Sequence, residues 1–343
     1  MKNMKNFLIF CLIFIVIPGC GNKKEEKVRT LTLGAYTVTR EVYCKEIIPA
    51  FKKYWNEKTG EKVRFVDSYL PSGAQSRAIA SGFAADIAAL SLEQDITRLE
   101  ELGLITHNWK NREYNGFVTR SVVVICYRPR NPKIIRDWQD LQRDDVDVIY
   151  PNPRTSGGAM WCVNAIYGSG LKLSEVYQQK KDPQYARNLL KKIQERVKVM
   201  DKSGRDSVNT FKEGIGDALV TYENEALLRQ KQGEEFPFII PKATILIENP
   251  VALIDKNVEK HQNGDVAEAF VDFLFSNDSQ RAFAAYGFRP VNEVISLEFA
   301  RKYPRPEYLF EIHYLGGWEH VYTNIYGPEG TWTKVMSELS DEK

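Results

Sequence analysis

The spacing of apolar positions changes repeatedly along this chain, between the period of a strand and that of a helix. Leu31-Thr-Leu-Gly-Ala35 alternates and predicts a strand. From Arg40 to Lys58, Val42, Ile47, Phe51 and Trp55 recur at helical spacing, and Thr59-Gly60 is the stop. Val63-Arg-Phe-Val66 predicts the next strand, Ala74 to Gly82 a helix and Ala85 to Leu90 a third strand. Val122 to Tyr127 and Val146 to Tyr150 predict further strands, each followed by turn residues and a helical pattern. Val266 to Tyr286 reads as an amphipathic helical stretch. This alternation predicts α/β layers, with a largely parallel sheet flanked by helices.

The beginning of the chain has a different character. Lys2 and Lys5 precede Phe7–Ile17, an apolar run of 11 residues that is too short to span a bilayer. It ends in Ile17-Pro18-Gly19-Cys20, which resembles a bacterial lipobox with Cys20 as the lipidated residue, although Pro18 is unusual there. The expectation is a signal peptide over 1–19 and a polar lipidated tether over 20–29, anchoring an exported protein to the membrane. The remaining 320 or so residues exceed what one core usually organises, so two lobes are expected. Residues 1–19 contain two lysines and no acid, which leaves 45 basic and 45 acidic residues in the rest of the chain. That balance, without a long basic run, argues against a nucleic-acid partner. Cys44, Cys126 and Cys162 are odd in number and widely spaced, so no disulfide framework is expected; Cys126, in a Val/Ile run, reads as a core residue.

Three loops share one design. Tyr69-Leu-Pro-Ser72-Gly73, Pro151-Asn-Pro-Arg-Thr-Ser156-Gly157-Gly158 and Ser203-Gly204-Arg205-Asp-Ser207 each follow a predicted strand and open a helix. A helix start presents backbone N–H groups and partial positive charge. Glycine lets a ligand approach the backbone. Together these make an anion site that needs no cationic side chain. A single Ser-Gly is usually just a cap and a tight turn. Ser156-Gly157-Gly158 is more pointed, because two glycines are poor helix formers.

The ordered succession of motifs resembles the periplasmic sulfate- and thiosulfate-binding proteins of bacterial ABC importers, from about Leu31 to Thr331. Its markers include Tyr36-Thr-Val-Thr39-Arg40-Glu41, Ser72-Gly73, Ser156-Gly157-Gly158-Ala159-Met-Trp161, Asn209-Thr-Phe211, Glu223-Asn-Glu225, Arg289-Pro290 and Gly316-Gly-Trp318. The resemblance implies a two-lobed periplasmic-binding-protein-like fold of type II, with the ligand in the interlobe cleft. Residues 30–118 plus 250–343 would form one lobe and 119–249 the other, with 245–254 crossing back between them.

The resemblance also implies roles. Ser72 and Gly73 donate from one side. The Ser156 hydroxyl and the N–H groups of Gly157, Gly158 and Gly204 donate from the other. Arg205 supports the peptides without touching the anion. Two positions depart from the family. Tyr222 stands where a Trp is usual before Glu-Asn-Glu, and Thr37 where an Asp is usual. Indole only donates, whereas a phenol donates or accepts. Sulfate needs donors alone, whereas hydrogen phosphate needs an acceptor as well.

The expected partners are sulfate or a similar oxyanion and the permease and ATPase subunits of an importer. The chain is expected to act as a monomer, with no cofactor or metal and no catalysis. A receptor for phosphate, molybdate or tungstate is the nearest alternative. An exported ester hydrolase would need a nucleophile–base pair or a metal site, and His107, His261, His313 and His320 lack metal-ligand spacing. A sensory or adhesive lipoprotein of the same fold is the third reading. The four histidines read as surface or loop residues, and Asp86, Asp217, Glu223 and Glu225 as capping or lobe-contact carboxylates.

Overall fold

The structure is a computed structural model that describes residues 28–341. The expected signal peptide, Cys20 and residues 20–27 of the expected tether lie outside the described residues. Ten strands form one mixed sheet in the order β2-β1-β3-β9-β4-β7-β5-β6, with β10 on β9 and β8 on β4. At one end β1 (Val28–Tyr36) runs parallel to β2 (Lys62–Leu70) and β3 (Ile87–Ala89). At the other end β5 (Val148–Ile149) runs parallel to β6 (Val197–Val199) and β7 (Ala218–Tyr222).

Two long strands join these ends. β4 (Phe117–Tyr127) and β9 (Ala243–Leu253) pair antiparallel from Phe117–Pro250 to Val122–Leu246. Each then changes partner. Val251–Leu253 of β9 pairs with β3 in the first sheet end, and Val123–Tyr127 of β4 pairs with β7 in the second. β8 (Phe238–Ile239) extends the second end. The predicted run Val122–Tyr127 is therefore the buried half of a longer strand, covered on both faces as its unbroken Val/Ile pattern requires. Cys126 sits there, fully buried.

The Arg40–Lys58 prediction holds as a helical run with one irregularity. Arg40–Val42 and Ile48–Thr59 are α-helical, and Tyr43–Ile47 between them is π-helical. Pro49 has no N–H for the i→i−4 ladder, and the widened turn lies just before it. Gly60 closes the run at φ 74°, as the Thr59-Gly60 stop predicts. Phe51 packs its ring 5.0 Å from Phe270 at a steep angle, fixing this helix against the Gly264–Phe275 helix. The Val266–Tyr286 stretch is two helices rather than one. Ser276 leaves the helical region (ψ 151°) and caps Asn277–Ala285 by accepting from the Ser279 N–H at 3.3 Å.

The C-terminal part changes sides. Tyr303 donates to the Ala284 carbonyl, but β10 (Tyr308–Phe310) pairs in parallel with Ala243–Ile245. Trp318 then packs edge-on against Trp161 at 4.8 Å. The final helix, Thr331–Asp341, places Glu338 against Arg187 and Lys191 of the Pro183–Glu195 helix. Residues beyond Tyr308 thus pack against β9, Trp161 and the Pro183–Glu195 helix.

Candidate functional site

Parallel strands deliver their C-terminal ends to one place, where open α/β sheets characteristically bind ligands. Thr37 follows β1, Ser72 follows β2, Ser91 follows β3, Ser156 follows β5, Gly204 follows β6, and Tyr222 ends β7. All six line one small cavity. Its volume is about 20 Å³, against the roughly 10–15 Å³ that one water needs. The site is sized for a single small species.

Four helices begin at its wall: Ser72–Ala80, Gly157–Gln178, Gly204–Lys212 and Glu223–Lys231. The first N–H groups of each have no partner within the helix, and their partial positive charge falls on the cavity. The lining holds no Asp, Glu, Lys, Arg or His. Its electrostatics are those of oriented peptides and hydroxyls.

The hydroxyls differ in how far they are committed. Ser72 Oγ donates to the buried Asp95 carboxylate at 2.6 Å and accepts from the Ser91 N–H at 2.9 Å. Burial pushes Asp95 up, although Ser72 and Arg98 oppose this. The Ser72 hydroxyl is therefore committed within the protein. Ser156 caps the Gly157–Gln178 helix with no side-chain bond to its N–H groups, leaving the hydroxyl available to the cavity. Ser203 caps the next helix by accepting from the Asp206 N–H at 3.1 Å, with Gly204 as the first helical residue. Tyr222 is buried and its oxygen lies 2.6 Å from Ser91 Oγ, where either group can donate. Burial pushes the phenol well above its ordinary range, so it stays protonated at neutral pH.

Gly73 and Gly157 fall elsewhere. Both line a neighbouring, wider cavity that also includes Arg77, Arg98 and Arg154. A Cβ on Gly157 would meet Leu92 Cγ at 2.8 Å and Ser72 Cβ at 3.2 Å. This glycine lets the start of the Gly157–Gln178 helix abut the Ser72 loop. Gly158 stays at the cavity, where an added Cβ would sit 3.3 Å from Ser156 Oγ and 3.6 Å from the Tyr222 ring.

Arg205 does not line the cavity. Its guanidinium spans Glu41, at 2.5 and 3.0 Å, and Glu225, at 3.0 and 3.2 Å. Burial alone would raise Glu41, but the hydrogen bond and charge of Arg205 outweigh it and hold the carboxyl below its ordinary range. Glu223 forms a matching pair with Arg289, at 2.6 and 2.9 Å. Asp86 accepts from the Thr32 N–H and bonds His261, while Asp255 holds His107, so both histidines have carboxylate partners, His261 at the surface and His107 half-buried.

Nothing in its local sequence singles out Ser91 as a site residue. Leu90-Ser91-Leu92 carries neither Gly nor Pro, and the one available signal was its place between a predicted strand and the acidic start of the Glu93–Glu101 helix.

Residues 32–289 match the family model described as "Bacterial extracellular solute-binding protein". The chain is 38% identical over 334 residues to the sulfate-binding protein of Synechococcus elongatus, covering 95% of this chain and 93% of that protein. It is 33% identical over 308 residues to the thiosulfate-binding protein of Pseudomonas aeruginosa, covering 88% and 91%. Among solved structures, the sulfate-binding protein SubI from Mycobacterium tuberculosis superposes with a TM-score of 0.77 at 34% identity, covering 85% of this chain and 98% of that one. A periplasmic thiamin binding protein shares the fold at 16% identity and a TM-score of 0.62. The architecture, the site at the strand ends and these matches agree: the chain belongs to the bacterial extracellular solute-binding proteins, as a relative of the sulfate- and thiosulfate-binding proteins.

Proposed function

We propose that this chain is the solute-binding lipoprotein of an ABC importer and captures sulfate, with thiosulfate as the closest alternative. One observation carries the reading: a cavity about the size of one small ion, without an ionised side chain in its lining, is ringed by four helix starts. A dianion without protons needs donors only, and this wall supplies them as peptide N–H groups, the Ser156 hydroxyl and the Ser91–Tyr222 pair. Micromolar capture corresponds to about −8 kcal/mol. Six or seven hydrogen bonds to a charge, at roughly 1.5–3 kcal/mol each, supply that after ordering losses. The names of its relatives point the same way.

The same reading extends to the whole chain. Residues 1–19 direct export, and Cys20 anchors the protein on the outer face of the membrane. The chain works as a monomer with no cofactor, delivering its ion to a permease driven by an ATPase subunit. Two lobes meet at the β4–β9 pair, divided near residues 118/119 and 249/250, and the segment after Tyr308 rides on the second.

Calorimetry of the mature protein against sulfate, thiosulfate, phosphate and molybdate tests it. One-site binding of sulfate or thiosulfate near micromolar is expected. Heat with molybdate alone, and none with either sulfur oxyanion, overturns the assignment.

A further inference from the structure

Two hydroxyls face one another in the wall of the cavity. Ser91 Oγ and the Tyr222 oxygen are 2.6 Å apart, both residues are buried, and both line the same small space. They come from opposite ends of the sheet, Ser91 after β3 and Tyr222 at the end of β7. Neither is tied to a charged group. Ser72, by contrast, donates to Asp95, and Trp161 donates its indole N–H to the Ser91 carbonyl at 3.0 Å. The Ser91 backbone is further fixed by its N–H bond to Ser72 Oγ and by the Asn249 amide on its carbonyl. The Ser91 backbone is thereby fixed, while its hydroxyl can either donate to Tyr222 or accept from it.

We infer that the Ser91–Tyr222 pair lets this site accept a tetrahedral oxyanion that carries one hydrogen, such as hydrogen phosphate or hydrogen arsenate, alongside fully ionised sulfate. This rests on the cavity being an oxyanion site. The argument is a count of hydrogens. The two hydroxyls own two hydrogens and bond each other with one of them. Facing a proton-free dianion, the pair donates the second hydrogen from whichever oxygen is free to do so. Facing a monoprotonated oxyanion, the pair and the ligand close a ring. The ligand hydroxyl donates to the Tyr222 oxygen, Tyr222 donates to Ser91 Oγ, and Ser91 donates back to another ligand oxygen. Three donors meet three acceptors and no buried hydrogen is left unmatched.

A wall of N–H donors alone rejects the protonated ion, because the ligand hydroxyl meets only other donors and stays unsatisfied. The ring also explains why the pair must be a pair. A lone phenol that accepts from the ligand would leave its own hydrogen pointing at the ligand or at nothing. Ser91 supplies the acceptor for it.

The test is competitive calorimetry at pH 8 with sulfate and inorganic phosphate on the wild-type mature protein, on Ser91→Ala and on Tyr222→Trp. In the wild type, phosphate should bind within about a hundredfold of sulfate, a gap of under ~2.7 kcal/mol. Ser91→Ala should weaken phosphate by roughly tenfold or more while sulfate changes by less than about threefold, the asymmetry expected when one buried partner is lost. Tyr222→Trp, which replaces the two-way group by a donor, should abolish phosphate binding and keep sulfate. Thermal melting without ligand identifies a misfolded variant, and Ser91→Gly then replaces Ser91→Ala. Sulfate binding with no measurable phosphate binding in the wild type overturns the inference and leaves the sulfate reading intact. Equal losses for both ions in Ser91→Ala also overturn it. Binding of neither ion overturns both.

Discussion

Arg205 and Glu41 meet across the site without touching its cavity: the guanidinium Nη1 lies 2.5 Å from Glu41 Oε1, while Glu225 occupies its other edge. Glu41 belongs to the segment that follows β1, and Arg205 to the helix that starts at Gly204. Glu41→Gln should therefore weaken sulfate binding by about tenfold, chiefly through faster release, because one partner of a half-buried charge pair is removed. The pair also sets a pH dependence. Arg205 holds Glu41 below its ordinary range, so the contribution of the pair is complete above that range. It is lost as pH falls through the lowered value. Sulfate titrations from pH 7 downwards should show affinity falling in acid in the wild type and a flatter profile in Glu41→Gln. Identical profiles would show that the Arg205–Glu41 pair does not set the pH dependence.

The two buried serines should separate cleanly. Ser156→Ala removes a hydroxyl that caps nothing and faces the cavity, so binding should weaken by about 1.5–3 kcal/mol with an unchanged melting temperature. Ser72→Ala removes a donor to buried Asp95 and an acceptor for the Ser91 N–H. Its melting temperature should drop, by an amount corresponding to about 1–3 kcal/mol. Calorimetry and thermal melts on both variants check this; the reverse pattern would reassign the two roles.

Gly157→Ala should impair binding although Gly157 is not in the cavity wall. A methyl group there meets Leu92 and Ser72, which lie in the other half of the molecule. Overpacking of this kind costs about 1–3 kcal/mol. A dissociation constant within twofold of wild type would show that the contact yields without penalty.

Cys20→Ser should release the full-length protein from membranes in a fractionation assay. Continued association with the membrane fraction would refute lipidation as the anchor.

The sequence makes some of this site plain and hides the rest, and the difference is one of range. Ser156-Gly157-Gly158 is legible because two glycines at a helix start are locally unfavourable and ask for a reason. The breaks at Gly60 and Ser276 follow from local chemistry too, and the Ser-Asn-Asp run at 276–278 is a capping signal that outweighs the apolar period around it. The π-helical turn before Pro49 is a local effect of the same kind. The commitment of Ser72 to Asp95, 23 positions away, is not written in either neighbourhood. The bond between Ser91 and Tyr222 joins residues 131 positions apart and depends on how the two sheet ends meet. The same holds for the close approach at Gly157, whose neighbours Ser72 and Leu92 lie far from it in the sequence.

The route of the C-terminal segment constrains how the molecule can move. β4 and β9 lie side by side, and two adjacent tethers leave both bending and twisting open to the halves they join. The passage near Pro304–Tyr308, held by Arg289 on the Pro304 carbonyl and by β10 on β9, adds a third tether beside them. Torsion between the two sheet ends would strain three connections more than it would strain two adjacent strands. This third connection therefore restricts twisting of one sheet end against the other more than it restricts bending.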